Sequence, residues 1–269
     1  MALTICFIDD SPFERDLFTR VLGRTRNWDP VVAETFEQAR EMLGERIPLL
    51  WLLDLWGNDP AGSARPKLMD PDDLERKAKR IPGPGYVWDG LEDFSGDRPN
   101  EYLKRFYTIV SGWSGLFLEA ARAADQTRAY GLHNLARVRE RYPETAALAY
   151  TRKSQSADLA AFLKAGGDGV LLKPHGPDDR AILEATRDAA PELIHEAHRV
   201  LDRCLLNSLL RQSLVLGNAE GAYLFSLAGA LLGRSPLPRK RDLEAGPYLR
   251  AWAEAARARI EDKTASPPR

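Results

Sequence analysis

The 269-residue sequence is poor in cysteine and histidine, with two of one and four of the other, and its formal net charge is only −1. Cys6 and Cys204 have neither the spacing of a metal site nor the density of a disulfide framework, which points to a reducing compartment. With charges near balance, no chain-wide field draws the protein to nucleic acid or anionic lipid, so any basic surface is local. No apolar run approaches the length of a membrane span, and the amino terminus, MALTICFIDD, turns acidic too soon for a signal peptide. The expectation is a soluble, cytoplasmic protein with no membrane partner. At 44% apolar and 29% charged residues the composition is globular, and the length allows one enlarged domain or two small ones.

What is present is an alternation of short apolar runs with amphipathic stretches. Leu3 to Ile8 reads as a strand, and Ser11-Pro12 starts a helix whose Phe13, Leu17, Phe18, Val21 and Leu22 have helical spacing. Val31 to Ala33 is a second strand, Thr35 to Leu43 a second helix, and LLWLL at 49–53 a third strand apolar on both faces, as a central parallel strand must be. The alternation stops at Gly57 and resumes near Gly131 with GLHNLARVRERYPE, strand ALAY, helix Ala157 to Ala165, strand GVLL and helix Asp178 to Ala189. Five such units predict a doubly wound, five-stranded parallel sheet of the α/β class.

Two segments lie outside that pattern. Between Asp59 and Arg128 two helices are expected, LERKAKRI and YLKRFYTIVSGWSGLFLEAARAA, after an opening stretch of Pro, Gly, Ser and Arg. The second carries an apolar stripe, Phe106, Ile109, Val110, Trp113, Leu116, Phe117 and Leu118, for which the parent domain is the expected partner. Beyond Pro191 three further amphipathic helices are predicted, ahead of a frayed end. The expected division is 1–59 and 129–189 for the two parts of the sheet domain, 60–128 for a helical insertion and 190–269 for an all-α extension. His195 and His198 share a helix face without nearby acidic or cysteine ligands and read as surface histidines.

Five residues at the carboxyl ends of candidate strands form a chemical set: the pair Asp9 and Asp10, then Asp54, Thr151 and Lys173. Three carboxylates brought together repel one another unless a cation neutralises them. An incomplete cage of hard oxygen ligands suits Mg²⁺ better than Ca²⁺ or Zn²⁺. One carboxylate is then left to act as a nucleophile.

This ordered set resembles the CheY-like receiver domain of two-component response regulators. Asp10 precedes Asp54 by about forty-four residues and Thr151 precedes Lys173 by about twenty-two, the receiver intervals. The resemblance implies Asp54 as phosphoacceptor and Asp9 and Asp10 as the acidic metal site, with Trp56 giving its backbone carbonyl to Mg²⁺. It implies that the Thr151 hydroxyl binds a phosphoryl oxygen and that Lys173, followed by Pro174, pairs with the phosphoryl charge. The implied donor is a histidine kinase, a phosphotransfer protein or a small molecule, and the implied role is a switch rather than an enzyme.

Two positions depart from the family. The residue after the threonine is usually small, but here it is Arg152, followed by Lys153, which suggests a gate on phosphotransfer. The position three before the lysine is commonly aromatic, but here it is Val170. Output is expected by contact with a downstream protein, through the insertion and the carboxyl-terminal helices, with a homodimer as one form of it. One alternative is DNA binding through those last helices, suggested by the basic run Arg239, Lys240 and Arg241 although no helix-turn-helix spacing is present. The other is a receiver-derived adaptor that no longer uses phosphate.

Overall fold

The computed structural model describes residues 2–58, 67–152, 156–244 and 246–265. In chain order its elements are β1 (Leu3–Ile8), α1 (Pro12–Arg20), β2 (Trp28–Ala33), α2 (Phe36–Leu43), β3 (Leu50–Leu53), β4 (Gly57–Asn58), α3 (Pro71–Ala78), α4 (Arg98–Ala123), β5 (Gln126–Thr127), α5 (Ala129–Arg141), β6 (Ala146–Thr151), α6 (Ser156–Lys164), β7 (Gly169–Leu172), α7 (Asp179–Leu216), α8 (Ala219–Leu231) and α9 (Pro247–Ala265). Two compact units result, Met1–Gly57 with Arg128–Arg269, and Asn58–Thr127.

The first unit is built on a five-stranded sheet in the order β2-β1-β3-β6-β7, and all its pairings are parallel. By position along the chain that order is 2-1-3-4-5, the flavodoxin-like doubly wound topology. The predicted α/β class is therefore the one found. β1, β3 and β6 are buried along their whole length, because helices cover both faces. On one face Leu3, Ile5, Phe7, Leu50, Leu52, Leu148 and Tyr150 join a core that includes Phe18 of α1. On the other, Trp51 packs against Phe36 of α2 and Tyr142 beyond α5, with ring centroids 5.6 Å apart in each case.

The carboxyl-terminal helices complete the first core. Leu201, Leu205 and Leu209 of α7, Leu224 and Leu227 of α8 and Trp252 of α9 belong to the same buried cluster as the β1 and β3 side chains. Here the structure corrects two sequence expectations. A helix end at Ala189 and a fresh start beyond Pro191 are replaced by one 38-residue helix, α7, that runs through Pro191. An interior proline costs about 3 kcal/mol, but Thr186 and Ala190 are buried before it and Ala197, Leu201, Leu205 and Leu209 after it. At about 1.5–3 kcal/mol per buried leucine, packing on both sides outweighs the break. His198 is likewise not a surface residue: it is half-buried, and its Nε2 accepts a 2.9 Å hydrogen bond from Trp28 Nε1, tying α7 to β2. His195 is exposed.

The second unit contains α3, a short 3₁₀ turn at Pro84–Val87 and the 26-residue α4. Asp70 caps α3 and Asp97 caps α4, each accepting a backbone N–H of the first turn, with a proline at the start of both helices. Val87, Leu91 and Leu116 are buried, and Lys77 Nζ meets Glu119 Oε2 at 2.5 Å. Within this unit only Leu116 of the seven stripe residues is buried, while Phe106, Val110, Trp113 and Phe117 are exposed. The opening stretch of this segment, 59–66, lies outside the described residues.

Candidate functional site

Strand register brings the predicted residues together. Ile8 pairs with Leu53, Leu53 with Ala149, and Thr151 with Leu172, so the residue after each strand emerges at one carboxyl-terminal edge. Two backbone bonds hold that edge, from Asp54 N to Ile8 O at 2.9 Å and from Lys173 N to Thr151 O at 2.9 Å. Ser11 stops the turn after β1. Its hydroxyl caps α1 at Glu14 N and its own N–H donates to Asp9 Oδ1 at 2.9 Å, which orients that carboxylate into the site.

Asp9, Asp10 and Asp54 each offer one carboxylate oxygen within 4.8 Å of the others. Asp9 and Asp54 are buried, while Asp10 is half-exposed. Lys173, buried as well, forms an ion pair with Asp9 Oδ2 and lies 3.5 Å from Asp54 Oδ1 and 3.6 Å from Glu14 Oε2. Its ammonium also stands 5.6 Å and 5.5 Å from the ring centroids of Phe7 and Tyr150. Burial pushes Asp9 up to about 7, against the pull of the Lys173 charge and with help from Asp54. Burial works against the Lys173 charge too, but Asp54, Asp9 and Glu14 outweigh it and hold the ammonium protonated, above its usual range. The pocket thus carries more carboxylate than one lysine neutralises. Three hard oxygen donors with that surplus fit a small divalent cation.

Thr151 is fully buried, and its Oγ1 has no hydrogen-bond partner among the described residues. A buried hydroxyl without a partner is costly, and this one keeps its hydrogen-bonding capacity open. Trp56 is buried, and its indole N–H donates to Asp158 Oδ2 at 3.3 Å. Val170 lies on the edge strand β7, opposite Ala149.

Arg152 turns across the site. Its Nη1 meets Glu14 Oε1 at 2.5 Å and its Nε donates to Pro174 O at 2.8 Å, which joins β6 to α1 and to the segment after β7. Lys153 lies outside the described residues.

Three contributors were missed in the sequence. Glu14 was not singled out, although it precedes Leu17 and Phe18 by three and four residues and is buried with them on the inward side of α1. Tyr130 is buried, and its hydroxyl donates to Glu34 O. Burial, then the charges of Asp9, Asp10 and Asp54, push its phenol well above the usual range. Gly131 lets α5 approach the acceptor strand, since a Cβ there would lie 2.6 Å from Asp54 O and Leu55 Cα.

A five-stranded parallel sheet of this order, with the acidic, threonine and lysine residues at its carboxyl edge, is a flavodoxin-like doubly wound fold, here interrupted after β3. The structure is similar to several solved receiver domains. One is the CheY-like response regulator receiver domain of Methanospirillum hungatei JF-1, with 14% identity, a TM-score of 0.34, and coverage of 73% of this chain and 99% of that one. Another is the signal receiver domain of a LuxO repressor protein of Vibrio parahaemolyticus, with 14% identity, a TM-score of 0.40 and coverage of 78% and 97%. A third is the receiver domain of NtrX from Brucella abortus, with 16% identity, a TM-score of 0.39 and coverage of 74% and 98%. No protein-family model and no curated protein matches the sequence.

Proposed function

We propose that the protein is a two-component response regulator whose Asp54 accepts a phosphoryl group in a Mg²⁺-dependent way. The observation that carries this reading is Lys173 Nζ, 3.5 Å from Asp54 Oδ1, beside a buried Thr151 hydroxyl with no partner among the described residues. Asp54 attacks the phosphorus of a phosphohistidine on a kinase or phosphotransfer protein, or of a small donor. The new bond is Asp54 O–P, and the bond that breaks is the one to the departing imidazole or donor oxygen. Lys173 and Thr151 receive the charge and one oxygen of the transferred group. Mg²⁺ would be held by Asp9, Asp10 and Asp54, with the Trp56 backbone carbonyl, and would neutralise the phosphoryl oxygens. Arg152 acts as a brace on Glu14. In this reading the protein is a switch rather than an enzyme, and it works in the cytoplasm on a downstream protein; among the described residues no helix is long and apolar enough to cross a membrane.

A second reading, an adaptor that keeps the pocket as structure, is favoured by the saturation of Lys173 with three carboxylates. DNA binding draws no support from the fold. Arg239, Lys240 and Arg241 fall in an irregular segment, Lys240 lies 3.6 Å from Glu254, and α7, α8 and α9 contribute their apolar faces to the sheet core.

Hydrogen exchange with Mg²⁺ and beryllofluoride separates the first two readings. The switch requires slower exchange at the loops after β1, β3, β6 and β7 and altered exchange in α1 through Glu14. No response at Asp54 or in α1 supports the adaptor.

A further inference from the structure

We propose that the exposed face of α4 is a homodimer surface, on which a second copy of this chain docks its own α4 in antiparallel orientation. This rests on the second unit alone and holds whether or not Asp54 accepts phosphate.

Leu103, Phe106, Tyr107, Val110, Trp113 and Phe117 are 40% to 71% exposed. They are not scattered. Leu103, Val110 and Phe117 recur every seven residues, Phe106 and Trp113 do the same in the d register, and the set forms one stripe along the helix. A different ridge of α4, containing Leu116 and Gly112, faces its own unit, where a Cβ on Gly112 would meet Ile81 at 2.9 Å. The helix therefore has one satisfied side and, next to it, an apolar side that no described residue of its own unit covers.

Three features select a second copy as the occupant. The first is area: these exposures leave on the order of 700 Å² of side-chain surface per copy, near the ~800 Å² per partner of a standard interface. The second is charge. A two-fold contact sets like groups near one another, so charges inside it would repel. Between Leu103 and Phe117 the stripe holds none: Arg105 pairs with Glu101, and Glu119 pairs with Lys77 of the helix's own unit.

The third is self-complementarity about Val110. In an antiparallel pair, residues equally distant from the two-fold axis meet. With Val110 on the axis, Leu103 falls opposite Phe117 and Tyr107 opposite Trp113, while Phe106 falls opposite the small Ser114. The smallest of the six large side chains meets its own copy, and the aromatic ones have a different partner each.

The test measures the mass of the full chain in solution across micromolar concentrations, with Val110→Arg and Val110→Cys as variants. Val110 is exposed, so neither substitution disturbs the core. A concentration-dependent dimer is expected, weakened at least tenfold by Val110→Arg, and Val110→Cys is expected to cross-link to itself on oxidation. Thr108→Cys, on the polar side, is expected to stay monomeric under the same oxidation. An Asp54→Asn chain must dimerise as the parent does, which separates this test from that of phosphorylation. A monomer at all concentrations, with Val110→Cys no more reactive than Thr108→Cys, would mean that the chain's other unit or a different protein covers the face, and it overturns the proposal. So does a dimer unaffected by Val110→Arg.

Discussion

Glu14 Oε1 lies 2.5 Å from Arg152 Nη1, a contact that joins the first turn of α1 to the end of β6. The other carboxylate oxygen of Glu14 is 3.6 Å from Lys173 Nζ, so the arginine that follows the threonine is linked to the pocket lysine through one acid. Both side chains of the pair are largely buried. Removing Arg152 leaves Glu14 only the 3.6 Å contact with Lys173, a lysine already shared with Asp9 and Asp54.

Arg152→Met is therefore expected to cost about 1–3 kcal/mol in urea unfolding, and Glu14→Gln to cost less, because Arg152 keeps its bond to Pro174 O. The double variant should recover about 1 kcal/mol relative to the sum of the single effects. Strict additivity would show that the contact is not an energetic link.

The carboxylate surplus predicts opposite effects of one substitution with and without metal. Asp54→Asn relieves repulsion with Asp9 and leaves Lys173 its Asp9 and Glu14 partners. In chelator the variant should be more stable than the parent by about 1 kcal/mol. In millimolar Mg²⁺ the parent should gain stability in proportion to the logarithm of metal concentration, and the variant should not. Thermal melts with and without Mg²⁺ read both effects.

His198 gives a pH prediction. Burial, then the nearby Arg259 charge, lowers it to about 4, and its Nε2 must be unprotonated to accept from Trp28. A histidine depressed in the folded state contributes stability above its unfolded value, near 6.5, and loses it as pH falls towards the folded value. The loss between pH 6.5 and 4 should be about 1–3 kcal/mol. Asp9, raised in the fold, acts in the reverse sense, since its contribution disappears as pH rises through about 7. His198→Gln keeps an acceptor for Trp28 and does not titrate. The parent should therefore lose more stability than this variant over that window, and parallel acid limbs would contradict the assignment.

Much of the fold and the pocket was legible because parallel strands are buried on both faces and write their apolar runs plainly, as LLWLL does. Asp9, Asp54, Thr151 and Lys173 follow such runs, and register then brings them to one edge without further information. Three things were not legible, each for a reason of tertiary packing. Pro191 marks a local preference that burial on both sides of it overrides. His198 and Glu14 sit on helices whose inward faces are defined only once β2 and β6 are beside them. The α4 stripe signals that a partner is needed, but periodicity says nothing about where that partner comes from.

The central claim is that Asp54 accepts a phosphoryl group, and intact-protein mass after incubation with a small phosphodonor tests it most directly. The account predicts a gain of one phosphoryl group per chain in Mg²⁺, none in chelator and none in Asp54→Asn. No gain in Mg²⁺, or a gain that persists in Asp54→Asn, would contradict it.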